Sequence, residues 1–271
     1  MSEQAIKKIL ITGANGFIGG SLMRYYQNHG QDTVGVDLIG NDDDIVQGDI
    51  SQPDTISQQL QECDVIIHTA ALVSNAMQDS DMWQVNVLAT RNLIQAAKEN
   101  KVRRFVQISS IVAYGNSAEG ELDETHPVHA DGGSYVLTKL ASEHVVLSEQ
   151  ANDDIEVVII RPGDAYGPGS RPWIIAPLEA IAKNQFMLPE KGEGFFRPIY
   201  IDDLVRGIAM ASRHPDAAGE IFNLSCEGYM FTKDYFTPHY QWLGKKRPMV
   251  VSTNLALKIS AIASKLSLIH I

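Results

Sequence analysis

Five short runs of this chain are almost continuously apolar and rich in β-branched residues: Ile9-Leu10-Ile11, Thr33-Val34-Gly35-Val36, Val65-Ile66-Ile67, Phe105-Val106-Gln107-Ile108 and Val157-Val158-Ile159-Ile160. Strands of this kind are buried on both faces, so both faces of their sheet need a cover. The segments between them, around 17–29, 53–61, 80–100 and 134–151, read as amphipathic helices. Such alternation confines the chain to an α/β fold, a doubly wound parallel sheet with helices on both faces. Beyond about Arg161 the pattern changes, and Gly163, Gly167, Pro168, Gly169, Pro172, Pro177, Pro189, Gly192 and Gly194 break up the chain. This predicts a small loop-rich lobe over the carboxyl ends of the strands, where ligands bind in such sheets. The expected division is 1–165 for the larger domain, its sheet completed by segments near 199–224, and 166–271 for the lobe.

The first strand runs directly into Thr12-Gly13-Ala14-Asn15-Gly16-Phe17-Ile18-Gly19, which opens the first helix with glycines at a G-x-x-G-x-x-G spacing. Glycine allows a tight turn and close approach of backbone to a pyrophosphate, whose charge then sits against the free N–H groups of the helix N-terminus. Strand, turn and helix in that order form the dinucleotide-binding signature of a Rossmann fold. Asp37 ends the second strand, where an acidic side chain accepts hydrogen bonds from the adenosine ribose hydroxyls and repels a 2′-phosphate. No Lys or Arg occurs from Asp37 to Val46, so the expected cofactor is NAD rather than NADP.

Tyr135 and Lys139 stand four residues apart in a helical segment, which puts phenol and ammonium on one face. A nearby positive charge favours the phenolate, so Lys139 is expected to draw Tyr135 down from the ~10 of a free tyrosine and fit it to exchange protons with an alcohol or ketone.

Composition sets the outer bounds. The chain has 271 residues, 44% of them hydrophobic, enough for one large domain and an appendage. Thirty-three acidic against 22 basic residues give a net charge of −11, which argues against a nucleic-acid partner. Cys63 and Cys226 are far apart and read as reduced thiols of a cytoplasmic protein. His126 and His129 flank a proline loop without a third ligand, so no metal site is expected. Met1 to Lys8 is short and polar and does not read as a signal peptide. The apolar stretch from Leu255 to Ile269, broken by Lys258 and Lys265, is too short for a membrane span and reads as an amphipathic helix.

Taken in order, Gly13 to Gly19, Gly48-Asp49-Ile50, His68-Thr69-Ala70-Ala71, Asn86-Val87, Ser109-Ser110 with Tyr114-Gly115, Tyr135 to Lys139, Arg161-Pro162-Gly163, Tyr166-Gly167-Pro168-Gly169 and Tyr200-Ile201-Asp202-Asp203-Leu204 resemble the extended short-chain dehydrogenase/reductases, the NAD-dependent epimerase/dehydratase group. The resemblance runs from about Lys7 to Leu224. It implies that Asp49 lies beside adenine with Ile50 next to it, that Ala70 and Ala71 line the cofactor between its two ends, and that Pro162 and Gly163 lie near the nicotinamide. The family's active-site Ser or Thr lies four residues before its Tyr-Gly pair, which gives Ser110 rather than Ser109. By resemblance, Ser110 bonds the substrate oxygen, Tyr135 exchanges the proton, and Lys139 holds the nicotinamide ribose. Asn86 is either a proton relay or a backbone-bonding helix residue. Helices around 82–99 and 134–151 would pair with those of a second subunit, so a homodimer is expected.

Three departures bear on substrate. Nucleotide-sugar members carry an Arg at the position of Phe196; here Arg197 stands one place later and precedes Pro198. That turns the reading away from a UDP-sugar and towards a more apolar small-molecule substrate, as does Ser109-Ser110-Ile111-Val112-Ala113-Tyr114, which looks like the hydroxysteroid-dehydrogenase and dihydroflavonol-reductase side of the group. Phe195, Phe196 and Trp173 are either an apolar substrate wall or core. Extended members also continue past a segment like Met249 to Leu266, so either a truncated chain or a naturally short lobe is expected. The leading reading is an NAD-dependent oxidoreductase interconverting a secondary alcohol and a ketone. Its alternatives are a nucleotide-sugar 4-epimerase or dehydratase with retained NAD, and a non-enzymatic NAD-sensing protein on the same fold.

Overall fold

The computed structural model describes residues 6–40, 44–61, 63–73, 78–115, 120–151 and 154–255. Most of the apolar C-terminal stretch therefore lies outside the described residues. The chain divides into two compact units, Met1–Gly163 with Ile201–Leu224, and Asp164–Tyr200 with Ser225–Ile271.

The first unit is built on β1 (Lys8–Thr12), β2 (Asp32–Asp37), β3 (Ile45–Gln47), β4 (Val65–His68), β5 (Arg104–Ile108) and β6 (Glu156–Pro162), with Ile221–Leu224 as the last strand. Their order across the sheet is Ile221–Leu224, β6, β5, β4, β1, β2, β3, and every pairing is parallel. Each of the five apolar runs lies in one of these strands. β3 and the strand Ile221–Leu224 carry no comparable run, because they are short sheet-edge strands and none of their residues is fully buried.

Parallel neighbours need crossovers, and helices supply them. α1 (Phe17–Asn28) follows β1, α2 (Ser57–Leu60) precedes β4, α3 (Asp79–Trp83) and α4 (Thr90–Glu99) precede β5, and α5 (Ser134–Gln150) precedes β6. Residues Gln84–Ala89 join α3 to α4 as a wide π turn inside the stretch expected to be one helix. On one sheet face Leu10, Ile66, Phe105, Val157 and Ile159 pack with Leu93, Ile94 and Ala97 of α4 and Val146 of α5. On the other, the helix Ile201–Arg213 packs against β5, β6 and α1. Complete burial of a Leu, Ile or Phe side chain contributes about 1.5–3 kcal/mol, so this double-sided core dominates the unit's stability.

One buried cation ties the second cover to the sheet. Arg104, fully buried at the start of β5, donates Nε to Glu156 Oε2 at 2.7 Å and Nη1 to the carbonyls of Ala211 and His214, both at 2.8 Å. Those carbonyls belong to the end of the helix Ile201–Arg213, where helical partners run out.

In the second unit, Asp164–Tyr166 pairs parallel with Pro198–Tyr200, and Phe195–Phe196 pairs antiparallel with Met230–Phe231. The helices Ala176–Ala182 and Thr232–Trp242 accompany a small aromatic core of Leu188, Phe196, Tyr235 and Phe236, with Tyr166, Trp173 and Phe186 packed on it. Among the described residues no helix is long and apolar enough to cross a membrane.

Replacing Arg104 with Met should lower unfolding free energy by roughly 2–3 kcal/mol, since it takes the guanidinium from the buried Ala211 carbonyl and from the Glu156 carboxylate. Urea denaturation followed by circular dichroism checks this, and an unchanged midpoint at native slope would show that Arg104 carries no such load.

Candidate active site

The loop after β1 is shaped by close contacts that only glycine permits. Gly13 adopts φ +69°, and a Cβ there would lie 2.8 Å from the Ala70 backbone; one on Gly19 would lie 2.1 Å from the Gly13 carbonyl oxygen. Gly13 N–H donates to Val36 O at 2.9 Å and Gly16 N–H to Gly13 O at 2.9 Å, which folds the loop back over the ends of β1 and β2. Gly16 caps α1 without any side-chain hydrogen bond, and the first turn holds no acidic residue. The N–H groups at this helix start therefore face their surroundings unopposed by a capping oxygen, an arrangement that favours an anion.

A cavity of about 550 Å³ opens beside this loop. Among the residues expected to hold a dinucleotide, Gly13, Gly16, Phe17, Ile18, Gly19, Asp37, Asp49, Ile50, Ala70 and Ala71 line it. Asn15 is not part of the lining. Its backbone N–H donates to Asp37 Oδ2 at 3.0 Å and its side chain to Ile39 O at 2.6 Å, so it holds Asp37 in place. The other Asp37 oxygen accepts from Leu38 N–H at 2.8 Å, which leaves further lone pairs on the carboxylate for hydroxyl donors. Ser51 N–H donates to Asp49 Oδ1 at 2.8 Å, a short turn that holds the Asp49 carboxylate. The structure adds Leu72, Gln84 and Val85 to the cavity wall, residues whose type gave no signal in the sequence.

Ser110, Tyr135 and Lys139 come together at the carboxyl end of β5, outside the lining of that cavity. The Ser110 hydroxyl lies close enough to the Tyr135 hydroxyl to draw the phenol's pKa down, and it accepts from Val112 N–H at 3.3 Å. Ser109, the other candidate, is committed elsewhere: its Oγ donates to Glu143 Oε1 at 2.5 Å in a buried site. Lys139 is 5% exposed and donates Nζ to Ile108 O at 3.0 Å, with Nζ 6.0 Å from the centroid of the Tyr135 ring. Burial lowers its pKa to about 8, and Glu143 one helical turn on pushes it back up.

Tyr135 corrects one expectation. Burial pushes its phenol above, not below, the ordinary tyrosine value, opposed only by the Ser110 hydrogen bond. The Lys139 ammonium, which bonds the Ile108 carbonyl, does not offset that burial. Pro162 and Gly163 lie at the end of β6, fixed by Gly163 N–H donating to Leu224 O at 2.8 Å.

Three further groups support this site. Asn86, in the π turn, accepts from Leu72 N–H at 2.7 Å and donates to Leu72 O at 3.0 Å and Thr138 Oγ1 at 3.1 Å. That is the backbone-bonding role, and it braces the segment after β4 against α5. His68 bridges Thr12 Oγ1 at 2.6 Å and Thr90 Oγ1 at 2.9 Å, and burial lowers its pKa to about 3, so it stays neutral. Glu143 and Arg161 form a buried ion pair at 2.7 Å. No part of that pair was anticipated, although Glu143 continues the Tyr135, Lys139 spacing by one more turn. In the second unit Phe196 and Trp173 are core, with ring centroids 4.8 Å apart, whereas Phe195 is 68% exposed. No group of three or more metal-ligating side chains comes together among the described residues.

The profile of the NAD dependent epimerase/dehydratase family matches residues 9–225. A UDP-glucose 4-epimerase of Vibrio cholerae is 30% identical over 236 residues, covering 81% of this chain and 70% of that protein. A 3 beta-hydroxysteroid dehydrogenase/Delta 5-->4-isomerase of Mycobacterium tuberculosis is 26% identical over 263 residues, covering 89% and 70%. Among solved structures, a UDP-glucuronic acid 4-epimerase from Bacillus cereus in complex with NAD superposes with a TM-score of 0.80 at 26% identity, covering 91% of this chain and 87% of that one. The glycine cradle, the bare helix start and Asp37 suit the cofactor these proteins share, and the chain belongs to the NAD-dependent epimerase/dehydratase family of Rossmann-fold enzymes.

Proposed function

We propose that this enzyme interconverts a secondary alcohol and a ketone on a small-molecule substrate, with Ser110, Tyr135 and Lys139 as its proton-transfer group. The observation that carries the reading is the meeting of these three side chains at the end of β5 in a chain that also holds the glycine cradle. Gly13, Gly16, Phe17, Ile18 and Gly19 would hold the pyrophosphate, Asp37, braced by Asn15, the adenosine ribose, Asp49 and Ile50 the adenine, and Ala70, Ala71, Pro162 and Gly163 the remainder towards the nicotinamide. When bound, NAD supplies the acceptor or donor of hydride. Ser110 donates to the substrate oxygen, and Tyr135 takes the hydroxyl proton in one direction and returns it in the other. The Lys139 charge favours the phenolate, and its position on α5 suits it to hold a ribose hydroxyl.

Nucleotide-sugar 4-epimerisation is the second reading, supported by the Vibrio cholerae relative. It begins with the same alcohol oxidation. Phe196 weighs against it: the side chain is 2% exposed and packed on Tyr235 at 4.1 Å, so no cation stands there to meet a diphosphate. Arg197 lies over the Tyr229 ring and donates to Gly228 O. Exposed apolar Trp83, just before the π turn, and Leu88, within it, support a homodimer through the helices around 82–99 and 134–151. Sedimentation velocity at micromolar protein should give a dimer, and a monomer alone would remove that element.

Cofactor-linked turnover of sterols, flavonoids, aliphatic ketones and UDP-sugars tests the function. Tyr135→Phe should lower kcat at least 10²-fold on whichever substrate is turned over. Full activity in that variant sinks the mechanism, and release of reduced cofactor in proportion to product separates dehydrogenase from epimerase.

For alcohol oxidation, kcat/KM should rise with pH as the Tyr135 phenol ionises. In Lys139→Met that limb should move up by about one unit or more, because removing a positive charge disfavours phenolate. A pH–rate profile with coincident limbs would exclude Lys139 as the charge that tunes Tyr135.

Cofactor choice is set at Asp37. Asp37→Ala combined with Leu38→Arg should move the ratio of NAD to NADP affinity at least tenfold towards NADP, measured by calorimetry. An unchanged ratio would remove Asp37 from the ribose site.

A further inference from the structure

α5 carries Tyr135, Lys139 and Glu143 at successive turns, and the third is the most tightly held side chain of the three. Glu143 is 1% exposed. Its Oε1 accepts from Ser109 Oγ at 2.5 Å and from Arg161 Nε at 3.0 Å, and its Oε2 accepts from Arg161 Nη2 at 2.7 Å. Arg161 is fixed in turn, donating Nη1 to Tyr114 OH at 3.0 Å with its guanidinium 4.8 Å from the Tyr114 ring centroid. The Tyr114 hydroxyl then donates within reach of Asp123 O at 2.9 Å and Asn223 Oδ1 at 3.0 Å.

Arg161, in β6, and Ser109, just past β5, thus clamp the carboxylate from two sides. Both clamping residues adjoin site residues, Ser109 next to Ser110 and Arg161 next to Pro162. A bidentate guanidinium would more simply be read as structural, but a wholly neutral core of the same shape would be as stable or more so. What the pair turns towards Lys139 is its negative end: the Lys139 ammonium meets the Ile108 carbonyl, and the Glu143 carboxylate, one helical turn on, meets the hydroxyl of Ser109, the next residue of the chain. We propose that Glu143 is a positioning residue for the proton-transfer group: clamped by Arg161 and Ser109, its carboxylate keeps the buried Lys139 ammonium charged and seated on the Ile108 carbonyl beside Tyr135.

The groups that face Lys139 agree with this role. From β4 comes His68, neutral and bonded to Thr12 and Thr90; from β5 the Ile108 carbonyl; on α5 itself Tyr135 and Glu143. Glu143 supplies the negative charge among them. Burial works to discharge Lys139, and Glu143 is the group that opposes it. The inference rests on the proposed role of Tyr135 and Lys139 only for its consequence in catalysis, since the charge state of Lys139 is measured without cofactor or substrate.

The test follows the side-chain Cε resonance of Lys139 through a pH titration in carbon-13-labelled protein, the signal being assigned by its loss in Lys139→Met. In Glu143→Gln, which keeps the shape and removes the charge, the Lys139 titration should fall by about one pH unit or more, because both the lost carboxylate and the unpaired Arg161 disfavour an ammonium. Circular dichroism verifies that the variant is folded. If it is not, Glu143→Gln with Arg161→Gln removes both buried charges and takes the same titration, with a downward shift again expected. A Lys139 titration within about 0.3 unit of the wild type in the folded variant overturns the proposal. The two readings fail separately: a shifted Lys139 with an active Tyr135→Phe enzyme refutes the proposed mechanism alone, and an unshifted Lys139 with an inactive Tyr135→Phe enzyme refutes only the role given to Glu143.

Discussion

A parallel sheet points every strand the same way, so all of its carboxyl ends gather along one edge, and the rest of this structure follows from that. Thr12 is in register with Val36 and His68, His68 with Gln107, Ile108 with Ile160, and Pro162 with Leu224. The residues just past those positions are the glycine loop, Asp37, Ala70-Ala71, Ser109-Ser110 and Pro162-Gly163. Contacts of their own, such as Gly13 N–H to Val36 O and Asn15 N–H to Asp37, then fix them there. The ladder hydrogen bonds that hold the sheet also set the spacing of the site, which is why a site on strand ends is rigid before any ligand arrives.

Rigidity there has a local cost. Gly13 sits in the left-handed region, and both it and Gly19 leave no room for a methyl group against their neighbours. The polar groups beneath are satisfied in pairs, with His68 held neutral between two threonine hydroxyls and Asn86 closing both backbone groups of Leu72. A charged or unpaired group in those places would cost about 1–3 kcal/mol or more, and would loosen the floor on which the cavity rests.

How much of this the sequence revealed depended on whether a signal was local. The central strands announced themselves because burial on both faces makes a run continuously apolar. Ile45–Gln47 and Ile221–Leu224 did not, because short edge strands are only half covered. The glycine spacing placed the five lining residues between Gly13 and Gly19, since a tight turn constrains residue type directly; Asp37 was read from its place at the end of β2, and Asp49, Ile50, Ala70 and Ala71 only from the family resemblance. Ser110 and Ser109 could not be separated by composition. They differ only in which way each hydroxyl points, one to Tyr135 and one to Glu143. Arg161 and Glu143 are eighteen residues apart on different elements, so no pattern in either segment pointed to their pairing. The direction of the Tyr135 shift was misjudged for a related reason: helix spacing gave its neighbour Lys139 but not the burial that raises the phenol.

Chemistry and specificity are carried by different parts of this chain. The relatives act on sugars and on steroids according to their names, yet share one family fold, so the strand-end machinery cannot be what distinguishes them. Within the second unit the Phe196 position illustrates how a substrate preference becomes locked. Its ring packs on Trp173, Tyr235 and Phe236 in a core of only a few residues, and truncating a buried Phe of this kind costs about 3–5 kcal/mol. An arginine there would have to leave that core to keep its charge in water, and the small unit has little packing to spare for the loss. Once an aromatic side chain has taken that position, a cation cannot replace it by a single change without repacking the unit around it.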